Sequence, residues 1–181
     1  MSRQSQAWKA HERYVAKFYE GTRILRGNDF GNSRPDVIAP SLPKFNLEGT
    51  LIIECKHSQA QPWVDIVNAC TQSTTGMRPI IAYWHASKSS GSFILWSMEE
   101  TGPPANGMLD WLNSAVPYED RKIPSYIQSY LDQARQYIDW HGSKLPDPHL
   151  PLVVLAKKHS STRVVIADYE DLYKFITERE S

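Results

Sequence analysis

Two acidic side chains and one amine stand at the ends of two short apolar runs. Asp36 opens the run Val37-Ile38-Ala39, and Glu54 and Lys56 close the run Leu51-Ile52-Ile53. Successive side chains of a strand alternate between its faces, so Glu54 and Lys56 point to one face and Cys55 points to the other. Two carboxylates and an amine that converge at strand ends can bind a divalent cation and orient a water molecule for phosphodiester hydrolysis.

These residues also have an ordinary structural interpretation. Asp36 follows Pro35 and could simply begin a strand or a turn, and Glu54 and Lys56 could form a surface pair on an edge strand. The run before Glu54, however, is continuously apolar, which is typical of a buried strand. An acid and an amine at the end of such a strand are costly unless they are paired or bind a metal. This favours the catalytic interpretation.

The combination of Pro35-Asp36 with Glu54-Cys55-Lys56 resembles the signature of the PD-(D/E)xK nuclease superfamily. The resemblance implies an α/β fold: a restriction-endonuclease-like αβββαβ core in which helices flank a mixed central sheet. It implies that Asp36, Glu54 and the Cys55 carbonyl bind Mg²⁺, with Mn²⁺ as a substitute. Oxygen ligands suit these two ions better than zinc. It also implies that Lys56 positions the attacking water or offsets negative charge in the transition state.

A helix predicted over residues 7–20 carries another candidate, Glu12, at the margin of its apolar stripe. Periodicity alone favours a solvent-exposed position for Glu12. Within the superfamily, however, Glu12-Arg13, Arg26 and Ser33 match the order of residues in the archaeal-type Holliday junction resolvases, a group that includes phage enzymes. That resemblance implies that Glu12 completes the metal shell, directly or through water. It also implies branched DNA as the substrate and a homodimer as the active species.

The hydrophobic pattern predicts the elements that must position these residues. Beyond the first helix it predicts helices over about 63–70, 124–140 and 169–178, and strands over 22–26, 35–39, 50–56, 79–84, 92–98, 151–156 and 162–167. An irregular stretch is expected from Gly102 onwards. The length suits a single domain covering residues 1–181.

Two segments, 63–98 and 125–167, each read as a helix followed by two strands, and the core requires only one of them. We take 124–167 as the unit that completes the core and about 57–123 as an inserted helix–hairpin unit. In the second unit Gln133 and Tyr137 share a helical face. This spacing resembles the recombination-exonuclease branch of the superfamily, so an end-processing exonuclease remains an alternative. Tyr137 also fits as a plain core residue.

Charge gives a mixed indication about DNA. The net charge is zero, which does not favour a nucleic-acid binder and leaves a non-catalytic DNA-binding or scaffold domain of this fold open. Residues 1–44, however, carry eight Lys or Arg against four Asp or Glu, and this excess can attract phosphate. His57, next to Lys56, is either a phosphate contact or an ordinary loop residue.

Cysteine and hydropathy patterns bear on the compartment. The two cysteines, Cys55 and Cys70, provide no disulfide framework, and the histidines form no familiar metal-ligand spacing. Neither a signal peptide nor an apolar run of membrane-spanning length is recognisable. We therefore expect a soluble cytoplasmic protein without membrane association, in the host cytoplasm if the gene belongs to a phage.

Overall fold

The computed structural model describes residues 3–25, 34–42, 47–58, 61–72, 78–86, 89–99, 107–118, 123–157 and 162–178. The helices are α1 (Arg3–Phe18), α2 (Gln61–Gln72), α3 (Met108–Asn113), α4 (Tyr126–His141) and α5 (Tyr169–Thr177). The strands are β1 (Thr22–Arg23), β2 (Val37–Leu42), β3 (Leu47–Ser58), β4 (Ile80–Ala86), β5 (Ser89–Ser97), β6 (Val116–Pro117), β7 (His149–Lys157) and β8 (Arg163–Asp168).

These eight strands form one open mixed sheet in the order β1-β2-β3-β7-β8-β5-β4-β6. The pairs β3–β7 and β4–β6 are parallel, and the other neighbours are antiparallel. Together with the helices this is a mixed α/β architecture, as the sequence predicted.

Helices cover both faces of the sheet. Leu51, Ile53 and Cys55 of β3 point to the face that carries α1, α3 and α5. Val153 and Leu155 of β7 point to the face that carries α2 and α4. Because side chains alternate along a strand, Glu54 and Lys56 lie on the α4 side of the sheet, opposite to Cys55. Burial on both faces explains why the apolar runs of the two central strands are continuous.

On the side of β3 away from β2 the neighbouring strand is β7. The two are paired from Thr50 with His149 to Ser58 with Lys157. Helix α4 packs on both of these strands. Strands β4, β5 and β6 lie beyond β8, away from β3. The strand paired with the Glu-x-Lys strand on this side therefore comes from the unit 124–167.

Two predictions about local structure need correction. The first strand is limited to Thr22–Arg23, shorter than the predicted 22–26. The stretch expected to be irregular contains α3 and β6. Helix α3 has only six residues, and Trp111 and Leu112 bury it against the core, so tertiary packing rather than periodicity stabilises it. No helix in the described part of the chain is long and apolar enough to cross a membrane.

Candidate active site

Just before β2, the Asp36 carboxylate accepts a hydrogen bond that a backbone carbonyl would accept in a regular ladder. The Asp36 backbone N–H donates to the Ile53 carbonyl at 3.0 Å, and the Asp36 Oδ2 accepts the Cys55 N–H at 2.7 Å. The N–H and C=O of one strand residue point towards the same neighbouring strand. The Cys55 carbonyl therefore faces the side of β3 on which Asp36 lies, as a shared metal site requires.

Glu54 and Lys56 form an ion pair on the α4 side of the sheet. The Lys56 Nζ lies 3.3 Å from the Glu54 Oε2, and the Glu54 residue is only 4% exposed. The same Nζ lies 4.6 Å from the centre of the Tyr130 ring of α4. A carboxylate buried to this degree needs a cation or hydrogen-bond donors beside it. Lys56 is one such partner, and it is held between the carboxylate and an aromatic face.

Glu12 approaches β3 from the α1 side of the sheet. The expectation of solvent exposure from periodicity was wrong, because Glu12 is 4% exposed. Its Oε2 accepts a hydrogen bond from Arg23 Nε at 2.5 Å, which ties α1 to β1. The helical periodicity did not predict this burial, because it depends on β1 and its Arg23, which lie against the edge of the apolar stripe of α1.

The Cys55 thiol lies where the fields of all three acids overlap. Burial is the main cause that raises the pKa of Cys55 well above its ordinary value. The carboxylates of Asp36, Glu12 and Glu54 raise it further, and Lys56 opposes them. The thiol is therefore protonated at neutral pH. The three acids predicted from sequence thus reach the same segment of β3 from its two faces.

The arrangement can be tested against the requirements of Mg²⁺. No group of three or more His, Cys, Asp or Glu side chains in the described ranges is arranged to hold a metal ion. Mg²⁺ in nucleotide-processing sites commonly uses one or two carboxylates, with waters and substrate phosphate in the remaining positions. Asp36, Glu54 and the Cys55 carbonyl fit that smaller requirement. Glu12 and Glu54 are paired with cations in this arrangement.

The other residues predicted near α1 and β3 have different positions. Arg13 is exposed on α1, and His57 is half-buried at the carboxyl end of β3. The His57 ring lies 6.4 Å from that of His11. Arg26 and Ser33 lie outside the described residues, so their predicted DNA contacts stay predictions.

Gln133 and Tyr137 lie on α4, the helix that packs across β3. Gln133 is exposed, and the half-buried Tyr137 ring lies 4.7 Å from that of His141. The α4 residue that contacts Lys56 is Tyr130, three positions before Gln133. Tyr130 follows the apolar periodicity of the helix, and only the crossing of α4 over β3 brings it to the amine.

His11 is a further residue that the sequence did not single out. It is 2% exposed, its Nε2 lies 3.2 Å from the Val154 carbonyl, and Arg163 Nε donates to its Nδ1 at 3.2 Å. Burial chiefly lowers the pKa of His11 to about 4; the Val154 hydrogen bond opposes this shift, and Arg163 and His57 add to it. The ring is therefore neutral, with its proton on Nε2. Its place in the apolar stripe of α1 gave no signal of this pairing.

A second group of charges lies near the start of β7, at the other end of the β3–β7 pair. Arg135 of α4 contacts Asp132 and Asp171 at 2.7 Å each and Asp168 at 3.3 Å. Asp168 also caps α5, because its Oδ1 accepts the N–H groups of Glu170 and Asp171. A cavity of about 410 Å³ adjoins this group, lined partly by Arg135 and Asp171.

Comparison with known proteins gave no relative: no family model, no curated protein and no solved structure matches this chain. The interpretation of the site therefore depends on the residues and on their geometry.

Proposed function

We propose that this protein is a Mg²⁺-dependent DNA endonuclease of the PD-(D/E)xK type, most like the Holliday junction resolvases. The observation that supports this most strongly is the Asp36 carboxylate on the Cys55 N–H. It brings Asp36, which directly precedes β2, to the Glu-x-Lys segment of β3. The position also agrees with the tendency of ligands in open α/β sheets to lie beyond the carboxyl ends of strands.

The topology is compatible with the core that this superfamily requires. Helix α1, strands β1 to β3, helix α4 and strand β7 follow one another in the order αβββαβ if residues 57–123 are set aside. Within that order β7 is the parallel neighbour of β3. In this proposal α2, β4, β5, α3 and β6 form the insertion, which extends the sheet at its far edge.

The proposed mechanism divides the chemistry between the ion and the chain. When bound, Mg²⁺ supplies an activated water and stabilises negative charge on the phosphate. Asp36, Glu54 and the Cys55 carbonyl would hold the ion. Lys56, fixed by Glu54 and the Tyr130 ring, would reach the water or the negative phosphoryl oxygens. Glu12 would supply a further ligand, directly or through water, in place of its contact with Arg23.

Substrate and assembly follow from the resemblance. Glu12-Arg13 on the first helix has the order found in the resolvases, so the proposed substrate is branched DNA. Two symmetric nicks need two active sites, so the proposed active species is a homodimer. Both cysteines are free and buried, which is compatible with a reducing cytoplasm.

The experiment is cleavage of labelled four-way junction, flap, single-stranded and blunt duplex DNA in Mg²⁺ or Mn²⁺. Asp36→Asn and Glu54→Gln should each lose about 10²-fold or more of the activity while DNA binding persists, because the metal ligands also repel phosphate. Asp132→Asn is the matched control, since Asp132 is an exposed carboxylate on α4. Activity within tenfold of wild type in either site variant would remove the assignment.

An end-processing exonuclease of the same superfamily is the second candidate. It is favoured by Gln133 and Tyr137, which lie on the helix that reaches Lys56. Closed circular DNA separates the two, because an exonuclease requires an end. A monomer that degrades linear duplex from its ends and ignores junctions would reject the resolvase proposal.

A non-catalytic DNA-binding or scaffold domain is the third candidate. The zero net charge favours it, as do the cations already paired with Glu12 and Glu54. Absence of cleavage in Mn²⁺, with DNA binding intact, would select it.

A further inference from the structure

A cluster of three aromatic rings lies beside Lys56 on the α4 side of the sheet, and its Trp63 and Tyr130 ring centres are 6.4 Å apart. The Lys56 Nζ lies 4.6 Å from the centre of the Tyr130 ring. The Tyr130 and Tyr126 ring centres are 5.9 Å apart with the planes at 62°, and the Tyr126 and Trp63 centres are 5.7 Å apart with the planes at 22°. The cluster joins α4 to α2, and its Tyr130 ring contacts the amine of the candidate active site.

The rings differ in their access to solvent. Trp63 is 5% exposed and belongs to the core between α2, α4 and the sheet, so it is a fixed support. Tyr126, stacked on it, is 37% exposed, and Tyr130 is half-buried. The burial of Trp63 excludes its direct contact with a base. The exposed Tyr126 ring stacked on it is accessible to one.

We propose that Tyr126 and Tyr130 form a stacking platform for unpaired bases of the DNA strand whose phosphate lies at Lys56. This inference rests on the proposed function, since it takes Lys56 as the point where the attacked phosphate is held. Aromatic side chains stack on any base, because every base has a flat π face. Bases in a duplex are already stacked on their neighbours. The platform therefore selects strands with unpaired nucleotides, such as those at branch points, flaps and frayed ends.

The contact with Lys56 distinguishes this cluster from an ordinary exposed aromatic side chain. Single exposed aromatics are common on protein surfaces and need no ligand. Here the ring next to the exposed one touches an amine, and the amine touches the Glu54 carboxylate. A nucleotide has the complementary pair of groups, an anionic phosphate and a flat apolar base. An apolar protein segment would match the rings but has no anionic group for the amine.

The test is DNA binding by the full-length protein in EDTA, where no cleavage occurs. The probes are a single-stranded oligothymidine carrying one 2-aminopurine and a blunt duplex of the same length. Tyr126→Leu and Tyr130→Leu should each weaken single-strand binding about tenfold, and the fluorescence quenching caused by stacking should be lost. Duplex affinity should change less than about twofold, because paired bases do not use the platform.

Two further variants control for damage to the fold. Tyr173→Leu removes a tyrosine that is 43% exposed and stacked on Tyr169, but on α5 at the opposite face of the sheet. It should leave both affinities and the quenching unchanged. Tyr126→Trp keeps a flat ring and should retain single-strand binding where Tyr126→Leu loses it.

The outcomes separate this inference from the proposed function. Three outcomes would overturn the platform, whatever the nuclease activity. They are an equal loss of affinity for the single-stranded and duplex probes, a loss in Tyr173→Leu as large as that in Tyr126→Leu, and unchanged single-strand affinity in Tyr126→Leu. Selective loss of single-strand binding would support it even if the wild-type protein cleaves nothing, in which case the nuclease proposal alone fails. Affinity for an apolar peptide rather than for DNA would also overturn it.

Discussion

At the carboxyl end of β3 three carboxylates contact three different hydrogen-bond donors, whereas near the start of β7 one guanidinium contacts three carboxylates. In the first region Asp36 accepts a backbone N–H, Glu54 pairs with Lys56, and Glu12 pairs with Arg23. In the second region Arg135 contacts Asp132, Asp168 and Asp171.

The two regions differ in how easily their carboxylates could accept another cation. The planar guanidinium of Arg135 donates two hydrogen bonds in a fixed geometry to Asp171 and so links α4 to α5. Lys56 instead carries a point charge on a flexible stem, and Arg23 belongs to a two-residue strand at the sheet edge. In the nuclease proposal a metal ion displaces these partners with little rearrangement. Under that proposal, similar residue types stabilise the fold in one region and perform chemistry in the other.

The largest expected effect is that of Lys56→Met. In the nuclease proposal the amine acts on the water or the phosphate, so single-turnover cleavage should fall about 10³-fold, equivalent to about 4 kcal/mol. Mn²⁺ affinity, measured by calorimetry, should persist or rise, since Glu54 loses a competing cation. Arg135→Met should alter neither quantity. Weaker Mn²⁺ binding in Lys56→Met would contradict the role given to the amine.

The next largest effect concerns acid stability at His11. Its pKa is lowered from 6.5 to about 4 in the folded protein, so the unfolded chain takes up the proton first as the pH falls. The contribution of the neutral ring to stability is complete above about pH 7. It should be lost between pH 6.5 and 4, by about 3 kcal/mol in total.

His11→Gln is the matched variant, because an amide can accept from Arg163 and donate to the Val154 carbonyl without titrating. Chemical denaturation at several pH values should give a flatter dependence between pH 6.5 and 4 for this variant than for wild type. Parallel curves would show that another group, or a charged histidine, sets the acid sensitivity.

Glu12→Gln should have an effect of about 10²-fold on activity if the carboxylate completes the metal shell. The Mg²⁺ concentration for half-maximal cleavage should rise in this variant. It should fall in Arg23→Met, where Glu12 loses the cation that now competes for it. If Glu12→Gln keeps full activity at low Mg²⁺, Glu12 is only the structural partner of Arg23.

The smallest expected effect is that of Arg135→Met on stability. Its side chain is partly exposed, so loss of its ion pairs should lower the free energy of unfolding by about 1–2 kcal/mol, with cleavage unchanged. Burial chiefly raises the pKa of Asp171, and Arg135 opposes that rise. The deficit should therefore shrink as Asp171 becomes protonated in acid. A large loss of activity would mean that the two regions are coupled.

The sequence predicted most of the elements because their apolar residues follow regular periods. The continuous runs around residues 51–53 and 152–155 identified the two central strands, and the repeats of α1 and α4 identified their helices. The candidate site could be proposed from sequence where its residues adjoin an apolar run. Asp36 directly precedes one run, and Glu54 and Lys56 follow another.

Other features depend on contacts that no local pattern encodes. The burial of Glu12 depends on Arg23, and the contact of Tyr130 with Lys56 depends on the path of α4 across β3. The pairing of His11 with Arg163 joins the first helix to the strand before the last helix. Helix α3 was missed because it is too short to show a period.

The parallel ladder between β3 and β7 also determines when the site can form. It pairs residues 50–58 with residues 149–157, from opposite halves of the chain. Contacts so distant in sequence require a large loop to close, which costs entropy and slows folding. During synthesis Glu54 and Lys56 leave the ribosome long before β7, whose backbone pairs with one edge of their strand. The candidate site can therefore be completed only after β7 has been made.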